Sequence, residues 1–417
     1  MPADDTKRSP WLYVPTLYFA EGLPYVIVNT VSVILYKKMG MSNEFIGFTS
    51  VLYLPWVVKM FWSPAVDVYG TRRQWIVVMQ ALLCLLFALL SLMLATPWFV
   101  GATSTLFIAM AFAGATNDVA TDGYYMLALD HTDQAFFLGV RSTCYRLALI
   151  FGSGLLVVLA GKIEKTTGNI PVSWSSVMAI AAFIFLLLFL LHRWYLPRPA
   201  ADVAAAQRRG SIGFSDAFRT YFQQKKIVII VAFILVYRLG ESLLLKMAAP
   251  FLLDRPDIGG LGLATDTVGF VYGTVGVTGL CAGGLLGGWA IARWGLKRCI
   301  WPMAIMLNVP HLLYVYMAAA HPGLGIVYCM VAVEQLGYGF GFSAFSVFLM
   351  YIAREPYKTS HFAISTGLMA LGMMLPGMLS GIIQSAIGYL NFFILVVIMA
   401  LPGLLLVPFI PLDGRQE

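Results

Sequence analysis

Nine ionisable side chains lie within long apolar stretches of the sequence, where their charges could bind or move a solute. They are Glu21, Lys59, Asp118, Asp122, Arg146, Arg238, Glu241, Lys246 and Glu334. A charge at the centre of a lipid bilayer costs at least about 2.5–3.5 kcal/mol. Charged groups at that depth therefore face a polar cavity or pair with one another, and they mark solute or proton pathways. The pattern predicts a transport function.

The apolar stretches that carry these charges are long enough to span a membrane. The chain has 417 residues, of which 60% are hydrophobic and 11% charged, and its mean hydropathy is +0.82. Soluble domains carry about 25% charged residues. Twelve runs of about 20 residues or more could each cross ~30 Å of hydrocarbon. They cover residues 11–36, 45–66, 74–95, 98–127, 139–161, 174–196, 227–252, 265–291, 299–320, 322–350, 361–387 and 388–411. We therefore predict an all-α polytopic membrane protein with twelve transmembrane helices.

The positive charges are distributed unevenly between the two predicted faces of the membrane. With the N-terminus inside, cytoplasmic segments hold 18 lysines and arginines, against 5 on the opposite side. Short cytoplasmic loops are enriched in these residues. The net charge of +7 thus reflects topology and gives no support to nucleic-acid binding. We expect both termini in the cytoplasm and a location in the inner membrane.

A polar, basic segment at 197–226 divides the chain into two sets of six predicted spans. The expected domains are an N-terminal bundle at 1–196, a cytoplasmic linker at 197–226 and a C-terminal bundle at 227–417. The second half of the linker is amphipathic and is predicted to lie on the membrane surface. Its apolar residues are Ile212, Phe214, Phe218, Tyr221 and Phe222.

The two halves repeat one loop motif after the second and the eighth spans. The corresponding positions are separated by 225 residues, which indicates parallel internal repeats. The predicted gating motif comprises Asp67, Gly70, Arg72, Arg73, Gly295, Lys297 and Arg298. The acid of the first copy is replaced by Ala292 in the second, so an acid-mediated latch would depend mainly on Asp67. The alternative is that these residues only fix the membrane topology.

Two cations and two carboxylates of the first half are expected in one layer. At 1.5 Å per residue, Lys59 and Arg146 lie about 10 Å from the cytoplasmic ends of their spans, and Asp118 and Asp122 roughly 8–14 Å. The two aspartates share one helix face with Tyr125. Pairing these groups avoids an isolated buried charge. The cluster either holds three helices together or moves a proton while the cations bind an anionic substrate.

Glu21 is expected near mid-bilayer, about 15 Å deep, without an obvious partner in its own half. Gly22 and Pro24 beside it suggest a locally broken helix whose backbone faces a cavity. Three carboxyl groups are candidates for proton coupling: Glu21 first, Asp122 second and Asp118.

In the second half, Arg238 and Glu241 are three residues apart and can pair along one helix. Glu334 precedes a glycine-rich GYGFGF sequence that allows close packing or bending. The predicted substrate-binding residues of both halves are Lys59, Arg146, Tyr145, Tyr125, Arg238, Glu241 and Glu334. The five cysteines show no paired spacing, so no metal site or disulfide is predicted. No catalytic motif accompanies the acids, and no cofactor is expected.

Several of these motifs resemble a known family. The loop motif is similar to the signature of the major facilitator superfamily. The stretches VVKMFWSPAVD, NDVATDGYYMLAL and CYRLALIFGSG resemble its peptide–acetyl-CoA–drug transporter branch, which includes AmpG-type muropeptide permeases. The resemblance covers most of the first half. It implies twelve spans, alternating access and, in the AmpG-type branch, proton-linked import of anhydromuropeptides.

The sequence therefore predicts a monomeric secondary transporter whose partners are a small-molecule substrate, protons and the bilayer. The expected function is proton-coupled import of an anionic amphiphile such as an anhydromuropeptide, through a cavity between the two halves. The alternatives are a facilitator or exchanger of acetyl-CoA with the same fold, a receptor that does not transport, and an intramembrane enzyme using the Asp118/Asp122 pair.

Overall fold

The computed structural model describes residues 8–199, 202, 214–354 and 358–412. In this part of the chain, eleven helical stretches are long and apolar enough to cross a membrane. The last of them, Ser360–Phe409, contains two helices because Gly388 interrupts it with φ 75° and ψ 168°. The prediction of twelve transmembrane helices in an all-α protein is confirmed.

We number the transmembrane helices α1 to α12. Their bounds are Pro10–Lys38, Asn43–Ser63, Arg72–Met93, Phe99–Ala128, Gly139–Thr167, Ile170–Tyr195, Ile227–Leu253, Thr265–Trp294, Leu296–Ala320 and Leu324–Tyr351 for α1 to α10. Helices α11 and α12 are residues 360–387 and 389–409. The helix of α2 continues to Val68, and the helix of α5 already begins at His131.

The described residues form two compact units. The first contains those of 1–35 and 58–211, and the second those of 36–57 and 212–417. The end of α1 and the start of α2 thus pack within the second unit, where Lys37 Nζ lies 2.6 Å from Asp254 Oδ1. Asn43 Nδ2 donates to Gln384 Oε1 at 2.6 Å in the same region. The predicted division at 197–226 concerns sequence repeats and stays a prediction.

In the first unit, α1 packs against α4 and α5, and α3 packs against α4 and α6. A buried aromatic core joins α1, α4 and the start of α5. Tyr18 is 2% exposed and Tyr125 is 5% exposed in this core. Because both rings are fixed by packing, they offer a rigid support for the charged groups on the same helices.

In the second unit, α10 packs closely against α8 and α9. Its glycines make this possible: a Cβ at Gly339 would contact the Leu280 carbonyl of α8, and one at Gly337 the Met306 carbonyl of α9. This contact brings α10 near the middle of α9. The glycine-rich sequence therefore serves helix packing.

Gly339→Ala should destabilise the second unit because its methyl group has no space against the Leu280 backbone. Overpacking a tight interface costs about 1–3 kcal/mol. We expect a lower thermal unfolding midpoint in detergent, measured by fluorescence-detected size-exclusion chromatography after heating. Gly325→Ala is the matched control in the same helix, because nothing lies within 4 Å of its Cβ position. Equal midpoints for the two variants would contradict this packing argument.

The linker forms a short helix, Phe214–Phe222, that attaches to the second unit. The Tyr221 ring is fully buried, and its hydroxyl lies 2.9 Å from Ser365 Oγ. Phe218 and Phe222 remain exposed, as an amphipathic surface helix requires. Ile212 and the Phe214 side chain lie outside the described residues.

Candidate functional site

Five charged side chains of the first unit form one cluster, which we call the N-cluster: Glu21, Lys59, Asp118, Asp122 and Arg141. They come from α1, α2, α4 and α5. Lys59 Nζ is ion-paired with Asp118. Arg141 Nη2 lies 3.1 Å from Asp122 Oδ1. Because Asp118 and Asp122 are one helical turn apart on α4, the two ion pairs lie next to each other.

Glu21 belongs to the same cluster, although the sequence analysis assigned it no partner. Its carboxyl group interacts electrostatically with Asp118, Asp122 and Arg141. Its Oε2 atom is buried and has no hydrogen-bond partner among the described residues. Carboxylates that share a site repel each other, and a proton on one of them removes that repulsion. Glu21 is thus a candidate proton-binding group next to the two ion pairs.

Two tyrosines hold the Arg141–Asp122 pair in position. The Arg141 guanidinium lies 4.6 Å from the Tyr18 ring centroid and 5.1 Å from that of Tyr125. The Tyr18 hydroxyl donates to Asp122 Oδ1 at 3.0 Å. Tyr125 donates its hydroxyl to the carbonyl of Gln134. Cation–π contacts of this kind contribute about 0.5–2 kcal/mol each.

The structure corrects the predicted partner of the aspartates. Arg146 was expected to share their layer, but the cations paired with Asp118 and Asp122 are Lys59 and Arg141. The membrane span of α5 begins at Gly139, as predicted, and its helix extends back to His131. Arg141, which the sequence analysis did not select as a site residue, lies two residues inside this span. Arg146 follows five residues later, about 140° around the helix, and is half-buried.

The expected break in α1 does not occur at Gly22 or Pro24. The α-helix is continuous over Pro10–Val26 and then widens into a π-helical segment, Ile27–Val31. Gly22 instead allows close packing: a Cβ there would lie 2.9 Å from the Tyr145 carbonyl of α5. Tyr145 also places its ring 6.4 Å from the Tyr25 ring. Such π-helical turns occur frequently at functional sites.

The repeated loops have the same φ angle at their glycines. Gly70 and Gly295 both have φ 77°, a left-handed conformation that glycine adopts without strain. In the first loop, the Arg72 and Arg73 backbone amides donate to the carboxylate of Asp202 at 2.9 and 3.2 Å. In the second, Lys297 and Arg298 are exposed at the start of α9. The side chain of Asp67 lies outside the described residues. The acid described at the first loop is therefore Asp202, which the sequence analysis had not selected.

Arg238 and Glu241 do not form the expected pair in the structure. Arg238 has φ −111° and ψ 24° between two helical segments, so the regular spacing of a helix is lost there. Its guanidinium donates to the Tyr338 hydroxyl and lies 4.9 Å from the Phe342 ring centroid. Glu241 Oε2 instead lies 3.1 Å from His311 Nε2.

Glu334 completes a second cluster, the C-cluster, which consists of Glu241, His311 and Glu334. One side-chain atom of each lies within 4.8 Å of the others. All three side chains are buried, with relative exposures of 0–1%. The Gln335 amide donates to Glu334 Oε2 at 3.0 Å. The sequence analysis left His311 out of the site and predicted no metal site. Two carboxyl groups and an imidazole at these distances could hold a proton or a metal ion.

Three comparisons with known proteins agree with this architecture. A model of the major facilitator superfamily matches residues 16–365. The anhydromuropeptide permease of Escherichia coli (strain K12) is 26% identical over 399 residues, which cover 94% of this chain and 77% of that protein. The putative transporter AmpG 4 of Rickettsia conorii is 22% identical, and the match covers 94% of each chain.

Among solved structures, a D-xylose–proton symporter superposes with a TM-score of 0.73 over 98% of this chain and 99% of its own. The sequence identity is 11%, so this likeness concerns the fold.

Proposed function

Because the chain belongs to the major facilitator superfamily, we propose that it is a proton-coupled secondary transporter that imports an anionic amphiphile of the muropeptide class. Membership makes it a multi-pass transporter of a small molecule and not an enzyme. Proton coupling, the direction of transport and the substrate class are the proposal. The observation that carries it is the composition of the N-cluster.

The charges of the N-cluster do not balance without a proton. Glu21, Asp118 and Asp122 can carry three negative charges, whereas Lys59 and Arg141 carry two positive ones. One proton makes these five groups neutral together. Glu21 is the candidate to carry it, because its carboxyl group interacts with Asp118 and Asp122 and its buried Oε2 atom has no hydrogen-bond partner among the described residues. A cluster without net charge costs less to enclose in a low-dielectric environment during the transport cycle. This supports a role of the cluster in proton coupling.

The two cations of the N-cluster can also receive an anion. The Lys59 and Arg141 side chains are each 29% exposed, and Asp122 is 42% exposed. When a proton neutralises one aspartate, its cationic partner becomes available to a substrate carboxylate. Proton binding and anion binding would then support each other, as symport requires. Arg146 and Arg238 remain proposed as further cations for the substrate, with Tyr145, Glu241 and Glu334 as further binding residues.

The substrate class follows from the relatives and from the chemistry of the cluster. The Escherichia coli relative is named for anhydromuropeptides, which join amino sugars to a peptide bearing carboxylates. Arginine and lysine suit the carboxylates. We therefore assign this class to the chain as a proposal.

The remaining parts of the proposal concern topology and the transport cycle. We place both termini in the cytoplasm and the protein, as a monomer, in the inner membrane. Transport would proceed by alternating access. The two loop motifs would control the conformational cycle of the transporter and would not take part in substrate recognition. They consist of Asp67, Gly70, Arg72 and Arg73 in the first copy, and of Gly295, Lys297 and Arg298 in the second.

The test is uptake into proteoliposomes from a panel of solutes: a labelled anhydromuropeptide, acetyl-CoA, short peptides and amino sugars. Each is offered with and without an imposed pH gradient, at zero membrane potential set by potassium and valinomycin. Accumulation of the anhydromuropeptide above its outside concentration, only with the gradient, supports the proposal. Accumulation of acetyl-CoA alone, or uptake indifferent to the gradient, contradicts it.

Glu21→Gln should weaken the coupling of uptake to the pH gradient. The amide keeps the shape of the side chain but cannot bind or release a proton. Each coupled proton contributes about tenfold accumulation per pH unit, so we expect accumulation to fall by that factor. Exchange of labelled for unlabelled substrate should persist, because it needs no net proton movement. Asp257→Asn is the control: it removes an exposed carboxylate paired with Arg255 outside the spans. If Glu21→Gln concentrates substrate as well as wild type does, the proton carrier must be sought at Asp122.

A further inference from the structure

The C-cluster of the second unit is a buried acidic group whose protonation the proposed function does not address. Glu241 comes from α7, His311 from α9 and Glu334 from α10. Several polar atoms within it lack hydrogen-bond partners among the described residues: Glu241 Oε1, Glu334 Oε1, His311 Nδ1 and the Tyr314 hydroxyl. These atoms belong to side chains that are at least 99% buried. Glu241 Oε1 and Glu334 Oε1 are acceptors, so each of these two carboxylate oxygens lacks a donor or a positive charge beside it.

Among the described residues, no lysine or arginine is ion-paired with the C-cluster. The described contacts of Glu241 and Glu334 include neither lysine nor arginine. Arg238, on the same helix as Glu241, directs its guanidinium to Tyr338 and Phe342. The facing titratable groups are tyrosines: Tyr272 of α8 and Tyr314 of α9 interact electrostatically with both carboxylates. Beside Gly240, the atoms of α12 that lie nearest are the Val396 carbonyl oxygen and the Ala400 Cβ.

Two ionised carboxylates beside a neutral imidazole would leave two negative charges in an apolar interior. That arrangement is too costly to persist, and buried carboxyl groups take up protons or cations instead. Two protons neutralise the set, one on His311 facing Glu241 and one on Glu334. The 3.1 Å contact between His311 Nε2 and Glu241 Oε2 suits a charged imidazolium–carboxylate pair.

We propose that Glu241, His311 and Glu334 form a second proton-binding site, located in the second unit and separate from the N-cluster. This inference rests on the proposed function, since it adds a second coupled proton to each transport cycle. Glu334 carries the exchangeable proton, because its Oε1 atom is unpartnered while its Oε2 atom is held by Gln335. His311 and Glu241 form the pair that stabilises the protonated state.

A proton explains the cluster better than a resident metal ion does. A histidine that binds a metal donates its other ring N–H to a carboxylate, carbonyl or water, which fixes the ring. The Nδ1 atom of His311 has no such partner among the described residues. The supporting shell expected around a metal is therefore missing on the histidine side.

The inference predicts how steeply accumulation depends on the pH gradient. Proteoliposomes that contain the protein are held at zero membrane potential and incubated with labelled anhydromuropeptide. The ratio of its inside to its outside concentration is measured at several pH gradients. With two coupled protons, the wild type should accumulate about a hundredfold per pH unit. Glu334→Gln should give about tenfold, as Glu21→Gln does, and the double variant should show no accumulation driven by pH. Asp257→Asn should behave as wild type, and substrate exchange by each variant shows that it is folded.

The outcomes separate this inference from the proposed function. If wild-type accumulation ignores the pH gradient, the proposed coupling itself fails. If wild-type accumulation responds to the pH gradient and both Glu334→Gln and Glu241→Gln keep the wild-type slope of accumulation against that gradient, only the second site is overturned. Should Glu334→Gln not fold, Glu241→Gln takes its place in the test.

Two measurements on purified protein need no transport. Infrared difference spectra between acidic and alkaline solution should show a protonated-carboxyl band that Glu334→Gln diminishes. An unchanged band overturns the assignment. So does stoichiometric zinc or manganese, found by mass spectrometry in the wild type and lost from Glu334→Gln.

Discussion

Arg141→Ala should reduce uptake by roughly a hundredfold while leaving folded protein in the membrane. The substitution removes the ion pair with Asp122 and the cation–π contacts with Tyr18 and Tyr125. At partly exposed sites such interactions contribute about 0.5–1 kcal/mol each. Together the three interactions amount to about 1.5–3 kcal/mol, and the upper end of this range corresponds to the stated loss. Initial rates in proteoliposomes, normalised to monodisperse protein, measure it.

Two further variants show which property of Arg141 matters. Arg141→Lys keeps the charge but loses the planar group that stacks on both rings, so it should restore uptake only partly. Arg146→Ala tests the residue that the sequence had placed in the same layer. Near-normal uptake by Arg141→Ala, together with loss of uptake by Arg146→Ala, would return the site to the sequence-based assignment.

The fold was predictable because each span must satisfy the same requirement. A membrane helix needs about 20 apolar residues, and the sequence shows twelve such runs. Even the boundary at Gly388, which separates α11 from α12 within one continuous helical stretch, was visible as a glycine between two apolar runs. The membrane thus fixes the number of helices, whereas it constrains their ends much less.

The choice of Arg146 instead of Arg141 shows that limit. The predicted span at 139–161 contained both residues, but a cation near the start of a span resembles the positive charges that flank spans on the cytoplasmic side. The Asp130 side chain accepts a hydrogen bond from the Asp133 amide at 2.8 Å and caps the helix well before the span. This capping aspartate was the signal that Arg141 lies well inside the helix.

The membership of the clusters was predictable only in part. Charges within apolar runs are expensive, so Glu21, Lys59, Asp118 and Asp122 were visible from composition alone. His311 was given no role, because a neutral imidazole at one position of an apolar run carries no comparable signal. Its contact with Glu241 depends on how α7 and α9 pack and on the irregular backbone at Arg238. Neither can be read from residue spacing.

The Lys59–Asp118 pair should be needed for both folding and transport, and a double substitution separates the two. Lys59→Met removes the cation and leaves Asp118, whose side chain is 15% exposed, without its ion-pair partner. Breaking a buried pair from one side costs about 3–5 kcal/mol, and the partial exposure of Lys59 places this pair at the lower end. We expect little monodisperse protein and a clearly lower thermal midpoint.

Lys59→Met combined with Asp118→Asn removes both charges, so no buried charge is stranded. Replacing both members of a buried pair by uncharged groups is often neutral for stability. The thermal midpoint of the double variant should therefore return close to that of the wild type. Uptake should remain lost, because the variant has neither the cation proposed for the substrate nor the Asp118 carboxyl group that interacts with Glu21. Recovery of uptake together with stability would mean that the pair only holds α2 and α4 together, and would remove both residues from the transport site.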